Sequence, residues 1–299
     1  MQKSWAFLLL SLLLALGCRE RPADREAAGD RRRTARLEKD HMVEKQTIPL
    51  TRQQSLYVDL ECTAGRLELV PADSGVLAEL EFAFAREQLR PTVDFDSSEV
   101  EARLQIRSPR LHRDQGDIDR LRDNHWRLKL SRQIPLTFDI EGGAFDASFD
   151  FSGMKVAGLN LDVGAGELDI AFREPNTESP NLRINSGAAA VEARGLCYAN
   201  FRRLVFNGGA GKTDLIFDGS YSGEGEVDLN FGVGVNTVLL NRELGVRLRK
   251  EGSFLAPISL RAFNKRGDTY YSENFEKAAA KLFFDIKMGV GHTSIRWIE

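Results

Sequence analysis

The feature that most constrains the fold of this chain is an internal repeat of 22 or 23 residues. Each copy opens on an apolar residue, and a second apolar residue stands two positions later. Asp or Asn follows directly, and Gly or Ala stands seven positions after the start. The regular copies begin at Leu136, Leu159, Leu182, Leu204 and Val227. Fixed periods of this length are typical of stacked architectures, so a series of similar units is expected.

Two weaker copies flank the regular ones. One opens at Leu56 and has Thr63 in the position of the glycine. The other opens at Leu282 and has Gly289 in that position. The repeat therefore covers most of the chain after residue 50.

The pattern inside one copy predicts its local structure. Residues 159–163 and 168–172 each alternate apolar and mostly polar side chains, which is the period of a strand with one buried face. Gly164-Ala165-Gly166 lies between them and predicts a sharp turn. One unit cannot bury its apolar face alone, whereas stacked units share a core. We therefore expect an all-β, β-solenoid-like parallel stack, and an antiparallel β-sandwich of hairpins is the alternative.

The region before the regular copies predicts further strands. Alternating apolar residues at 80–84, 104–106 and 126–130 indicate an N-terminal β cap or subdomain over residues 47–135, before a repeat domain over 136–299. The charged segment 107–124 and the segment 265–275 are predicted as loops.

The amino terminus has the pattern of an export signal over residues 1–17. Trp5 to Leu16 is an apolar run of 12 residues, shorter than the roughly 20 that a membrane-spanning helix needs. It ends in Leu14-Ala15-Leu16-Gly17-Cys18, which resembles the lipobox of bacterial lipoproteins. The resemblance implies cleavage after Gly17 and lipidation of Cys18, and two or more acyl chains would anchor the protein stably in a membrane.

Residues 18–46 are predicted to be a disordered, charged tether that follows the lipidated cysteine. Arg and Lys alternate there with Asp and Glu, and large apolar side chains are nearly absent. In a Gram-negative source, Arg19 directly after Cys18 favours the outer membrane facing the periplasm. The predicted location is the cell envelope.

The two other cysteines, Cys62 and Cys197, have two interpretations. They could form a disulfide in an oxidising compartment, although sequence does not show whether they come within bridging distance. The simpler interpretation is two separately buried thiols.

The Asp or Asn of each regular copy forms a candidate binding face. These residues are Asp139, Asp162, Asn185, Asn207 and Asn230. Stacked carboxylates and amides would suit a calcium ion or a sugar. The structural alternative is a series of polar caps whose short side chains bond local backbone at the turns.

The apparent motifs for catalysis and cofactor binding in this sequence are incomplete. Gly209 to Thr213 suggests a phosphate-binding loop, but the pattern requires glycine where Phe206 stands. None of His41, His112, His125 and His292 has a second ligand at metal spacing. Arg266-Gly267-Asp268 is predicted to form a turn. We predict no catalytic residue, metal or cofactor, and a net charge of -3 argues against nucleic acid as a partner.

Two segments are similar to a known family. Asn124 to Leu130, followed by Pro135-Leu136 and the glycine-containing repeats, resembles the toast-rack family, and Phe284 to Gly291 looks like its last repeat unit. The family includes the carboxy-terminal domains of LiaF-like cell-envelope stress proteins and adhesin-like domains of unknown function. The resemblance implies an all-β, solenoid-like domain over residues 50–299, with no catalytic residues to transfer.

Three functions compete on this evidence. The first is a non-enzymatic binding or scaffold module, anchored to a membrane and linked to the envelope stress response. The second is an adhesin-like module that binds carbohydrate or cell wall. The third, a polysaccharide-processing enzyme, has the least support, and the expected partner is an unknown envelope protein or a glycan.

Overall fold

The chain forms a long sheet of short and long strands. The computed structural model describes residues 41–109, 123–251 and 256–298. Besides one short 3-10 turn, Glu87–Leu89, the regular elements in these ranges are strands, joined by turns and loops. The strands are β1 Met42–Pro49, β2 Leu56–Pro71, β3 Val76–Phe84, β4 Thr92–Asp96, β5 Ala102–Arg107, β6 His125–Leu130, β7 Pro135–Asp150, β8 Lys155–Ala171, β9 Asn181–Arg194, β10 Arg203–Phe217, β11 Glu224–Leu240, β12 Gly245–Glu251, β13 Ile258–Leu260, β14 Asn264–Arg266, β15 Thr269–Tyr271 and β16 Lys281–Trp297.

Seven long strands make up the repeat, one strand for each copy. They lie side by side in the order β2, β7, β8, β9, β10, β11, β16, and every neighbouring pair is parallel. We call one such strand with the loop that follows it a rung. In the central rungs Leu159, Leu182, Leu204 and Val227 are register partners, as the repeat predicts. The parallel, solenoid-like stack is confirmed, and the antiparallel alternative is wrong.

Each rung contains one continuous strand, where the sequence predicted two strands and a turn. Strand β8 continues through its glycines, and its pairing with β9 is interrupted only at Gly164. Its buried residues change parity there, from Leu161 and Val163 to Leu168 and Ile170. Gly166, with a φ of 132°, adopts a conformation that other residues rarely reach. The strand therefore bends at its glycines and turns both halves toward one core.

In the outer copies the observed register differs by two residues from the one that the repeat predicts. Phe138, and not Leu136, is the partner of Leu159. At the other end Phe284, and not Leu282, is the partner of Val227. A shift of two residues leaves every side chain on the same face of its strand, so the apolar pattern did not reveal the error.

Both ends of the stack are covered by shorter strands. At the amino-terminal end β5 and β4 extend the first half of β2, whereas β6, β3 and β1 extend its second half. Strand β1 begins at Met42, so residues 42–46 are a strand and not tether as predicted, because they pair with β3. The predicted strands at 80–84, 104–106 and 126–130 are present.

The carboxy-terminal end differs in one respect from the sequence prediction. Strands β14 and β15 form a hairpin within 264–271, and β15 pairs with β12. The segment 265–275 is therefore not simply a loop. Most of the charged segment 107–124 lies outside the described residues.

One continuous core lies inside the bent strands and includes residues of both halves. Phe138 of the first half of β7 packs against Phe151, which follows its second half, with ring centroids 5.1 Å apart. Phe206 of β10 and Phe231 of β11 form another pair in the core, with ring centroids 5.7 Å apart. His41–Glu299 is one compact unit, so the predicted boundary at residue 135 does not separate two units. None of the helices among the described residues is long and apolar enough to cross a membrane.

Candidate functional site

A groove runs across the stacked strands at the level of their bends. Its volume is about 1250 Å³, and all seven long strands contribute residues to its lining. Neighbouring strands lie about 4.8 Å apart, so six spacings give the groove a length of roughly 29 Å. Strand β9, for example, contributes Asn185, Ser186 and Gly187. A ligand that fills this groove has to be long and has to lie across the strands.

A row of glycines exposes bare backbone along the groove. A Cβ atom on Gly187 would lie 2.4 Å from the carbonyl oxygen of Gly164, and one on Gly209 would lie 2.3 Å from that of Gly187. Contacts this short do not occur, so only glycine fits while the strands stack this closely. The glycine row is Gly143, Gly164, Gly187, Gly209, Gly232 and Gly289.

The sequence carries a signal for this row in the spacing of its glycines. Four rungs have glycine at two positions separated by one residue, as in 164–166, 209–211, 232–234 and 289–291. The repeat as aligned by sequence places Gly143 and Gly289, which belong to the first of these positions, in one column with Gly166, Gly211 and Gly234, which belong to the second. The structure separates them, and the first position of each pair lines the groove.

An amide ladder runs along the groove beside the glycine row. It consists of Asp162, Asn185, Asn207 and Asn230, which are register partners on four successive strands. The Nδ2 of Asn230 donates to the Oδ1 of Asn207 over 2.8 Å. The Nδ2 of Asn207 donates to the Oδ1 of Asn185 over 2.7 Å, and Asn185 donates to the carboxylate of Asp162. All three amides therefore point the same way, because a carboxylate can only accept.

The ladder corrects the sequence prediction in two respects. These side chains bond one another across strands and do not cap local backbone, since parallel in-register stacking holds equivalent residues one strand spacing apart. Asp139 is not the neighbour of Asp162 in the ladder. Its register partner is Asn160, whose Nδ2 donates to Asp139 over 2.8 Å and to Asp162 over 3.3 Å.

The amino-terminal end of the groove is acidic. Glu61 on β2 and Glu141 on β7 precede Asp162 in the same register column. Arg107 partly offsets this charge, because it donates to Glu61 over 2.7 Å and to Asp59 over 3.0 Å. An anionic ligand would be repelled at this end.

The carboxy-terminal end of the groove carries a cation. Lys287 of β16 is the register partner of Asn230 and forms an ion pair of 3.3 Å with Glu251. Met288 next to it is buried, and its sulfur accepts from Asn236 over 3.3 Å. The groove thus passes from acids through neutral amides to a lysine.

The same strand face continues beyond the groove. Asp285 accepts two hydrogen bonds of 2.7 Å from Arg249, and this arginine lowers the pKa of the Asp285 carboxyl. Phe283 lies on this face two residues earlier, and the guanidinium of Arg247 lies 4.4 Å from its ring centroid. Aromatic and charged groups therefore lie on this strand face beyond the carboxy-terminal end of the groove.

Both cysteines in the described part of the chain are free and buried, so the prediction of two separate thiols is confirmed. Cys62 borders the groove but is only 1% exposed. Burial raises the pKa of the Cys62 and Cys197 thiols to about 12 in each case. Neither thiol is suited to nucleophilic chemistry.

The remaining candidate residues are distributed over the fold. Gly209 to Thr213 lies within strand β10, where Lys212 pairs with Asp214 over 2.6 Å. Arg266-Gly267-Asp268 forms the turn of the β14–β15 hairpin. In the described ranges, no three or more His, Cys, Asp or Glu residues are grouped so that they could hold a metal ion. Cys18 lies outside the described residues.

Comparison with known proteins identifies the family. The model of the N-terminal domain of toast_rack, DUF2154, matches residues 37–194, which is more than half of the chain. The protein therefore belongs to the toast-rack family, whose first domain covers the amino-terminal end of the stack and the first rungs. No curated protein matches this sequence.

The solved structures with a similar fold are distant from this chain in sequence. A proposed cell adhesion protein from Clostridium sporogenes is 16% identical, with a TM-score of 0.44 over 86% of this chain and 100% of its own. A proposed adhesin from Bacteroides fragilis is 11% identical, with a TM-score of 0.37 over 86% of this chain and 97% of its own. No functional conclusion follows from similarity at this level.

Proposed function

We propose that this protein is a non-enzymatic binding module, anchored at the cell envelope by lipid on Cys18, that holds an extended neutral glycan in its groove. The observation that carries the proposal is the groove itself, which is continuous over seven strands and lined by the amide ladder. Asn185 and Asn207 each use one amide hydrogen and one carbonyl lone pair within the ladder and have one more of each to offer, whereas Asn230 uses only one amide hydrogen there.

The spacing of the ladder favours a glycan over a peptide. Amides recur along the groove about every 4.8 Å, the distance between strands. A sugar ring in an extended β-1,4-linked chain advances by nearly this distance. Side chains on one face of an extended peptide recur about every 6.6 Å, which does not match. The bare glycine row gives the flat faces of sugar rings a surface without side chains.

The charges of the groove favour a neutral ligand. Glu61, Glu141 and Asp162 would repel an anionic polymer at one end. The ladder residues of the central rungs are amides, which recognise hydroxyl and amide groups without a net charge.

Titration of the full chain, purified in detergent, with neutral β-1,4-linked hexasaccharides tests the proposal. We expect saturable binding by calorimetry, and a loss of about tenfold in affinity for Asn207→Leu, which removes two hydrogen-bonding groups from the groove. Asn264→Leu is the matched control, because Asn264 is exposed on β14 and does not line the groove. Absence of binding by the unmodified chain, or an equal loss in both variants, would contradict the proposal.

The anchor is tested separately. Cys18→Ala removes the proposed acceptor for lipid, so the protein is expected to move from the membrane fraction to the soluble fraction of the cell. Cys62→Ala is the control and should stay with the membrane. Retention of Cys18→Ala in the membrane would exclude lipidation as the anchor.

A protein scaffold is a second candidate function, and one observation favours it. Val233, Val235 and Val290 are about half exposed on β11 and β16, and Val233 and Val290 are register partners. Adjacent exposed valines are suited to a protein contact. Crosslinking in cells should then depend on Val233, and Val233→Lys should remove a specific crosslinked partner. The role in the envelope stress response remains a prediction from the resemblance.

A further inference from the structure

The amide ladder allows the class of glycan to be narrowed, an inference that rests on the proposed function. We propose that the groove selects an N-acetylated amino-sugar polymer over an unsubstituted glycan of the same linkage and length. The argument depends on the orientation of the ladder, on the groups it leaves unused and on its spacing.

The orientation of the ladder is fixed at one end by Asp162. Because its carboxylate accepts only, Asn185 must present its Nδ2 to Asp162, and each following amide repeats that direction. The hydrogen bonds polarise one another along the row. The ladder asparagines are half-buried, and Asn185 and Asn207 cannot rotate without breaking two such bonds each, so their remaining donors and acceptors are held in place.

The unused groups are complementary to an acetamido group. Each of Asn185 and Asn207 has one N–H and one carbonyl lone pair that the ladder does not use. An acetamido group is a rigid trans amide whose carbonyl acceptor and N–H donor point in opposite directions, so the two groups can meet two neighbouring ladder asparagines. A hydroxyl group also donates and accepts, but through one atom that cannot bridge an amide donor and an amide acceptor set apart from each other.

The spacing of acetamido groups also agrees with the ladder. Successive rings of an extended β-1,4-linked chain face opposite ways, so acetamido groups on one side recur at nearly two strand spacings, about 9.6 Å. Asn185 and Asn230 are two rungs apart, so both can meet acetamido groups on one side of the same chain. The neutral middle of the groove suits an uncharged amide and not a free amine or a carboxylate.

The experiment compares chitohexaose, which is N-acetylated, with cellohexaose, which has the same linkage and length. The full chain in detergent is titrated with each by calorimetry, and chitohexaose is expected to bind at least about tenfold more tightly, since two added amide pairings of roughly 0.7 kcal/mol each amount to that factor. The ratio of the two affinities is the readout, because partial unfolding lowers both affinities equally.

Asn207→Asp tests the mechanism of selection. A carboxylate at this position cannot donate to Asn185, so the ladder is interrupted between β9 and β10, and position 207 loses the N–H that it would offer to an acetamido carbonyl. The preference for chitohexaose should fall to about threefold or less, while Asn264→Asp should leave it unchanged. Equal affinity of the unmodified chain for the two hexasaccharides would overturn the inference and leave the proposed function intact. Absence of binding to both would overturn the proposed function as well.

Discussion

At the scale of the residue, the structure assigns different roles to polar residues that look equivalent in sequence. Asp139 and Asp162 occupy the same position in the aligned repeat, yet only Asp162 accepts from the amide ladder. Asp139 instead accepts from Asn160 and from the hydroxyl of Tyr57, over 2.8 and 3.1 Å. The difference arises from the register between β7 and β8, which shifts after Leu136.

The two buried thiols predict a pH dependence of stability. Burial raises the pKa of each thiol from its ordinary value of 9.0 to about 12 in the folded protein. Between pH 9.0 and about pH 12 the two thiols therefore lose their protons in the unfolded chain but keep them in the folded protein. Their contribution to stability is therefore complete below pH 9 and falls as the pH rises, by about 1.4 kcal/mol per pH unit for each thiol.

Urea denaturation between pH 9.5 and 11, under reducing conditions, measures this effect. The free energy of unfolding of the unmodified chain should fall more steeply with pH than that of a Cys62→Ala/Cys197→Ala variant, by about 2.7 kcal/mol per pH unit. A cavity left by a substitution lowers the free energy of unfolding by the same amount at every pH. Comparing the slopes of this free energy against pH therefore removes the effect of the cavities. Identical slopes would mean that the thiols ionise in the folded protein as readily as in the unfolded chain.

At the scale of the element, the long strands are bent by backbone contacts that only glycine permits. Gly187→Ala would place a Cβ atom 2.4 Å from the carbonyl oxygen of Gly164, so β8 and β9 would have to separate at the groove. We expect a loss of roughly 1–3 kcal/mol in the free energy of unfolding. Thermal or urea denaturation measures it.

Gly158→Ala is the control for this substitution. Its Cβ atom would lie 3.3 Å from the side chain of Thr137, which can move, so the expected change is within about 0.5 kcal/mol. A Gly187→Ala protein as stable as Gly158→Ala would show that the strands do not stack as closely at the groove as described.

The elements were predictable where one face of a strand is buried. Strands β3, β5 and β6 follow directly from the alternation of apolar residues around Leu80, Leu104 and Trp126. Strand β1 was missed because Met42–Pro49 is charged and largely exposed, and it is a strand because β3 offers it hydrogen bonds. Tertiary pairing decided that element, and local pattern did not.

At the scale of the whole molecule, the stack is modular. Each rung contacts mainly its neighbours, so removal of one complete rung should leave a foldable stack. Deletion of residues 182–203 joins Asn181 to Leu204, which occupies the register position of Leu182. We expect a cooperatively unfolding β protein by circular dichroism, with a groove shorter by about 4.8 Å.

Deletion of residues 182–192 is the matched control. It removes half a rung, so the remaining half would face neither its core nor its ladder partners. This variant is expected to lose cooperative unfolding. If both deletions unfold the protein alike, the repeats are not independent units of the fold.

The sequence by itself determined that the chain is an all-β stack of equivalent units, and which side chains point into the core. Those properties follow from a period of two within strands and of 22 or 23 between them. Only the tertiary structure decided the register of the outer rungs, the separation of the two glycine positions and the joining of Asp162 to three asparagines. The physical reason is that a slip of two residues conserves every buried face, whereas it changes which outward side chains and which backbone carbonyls meet.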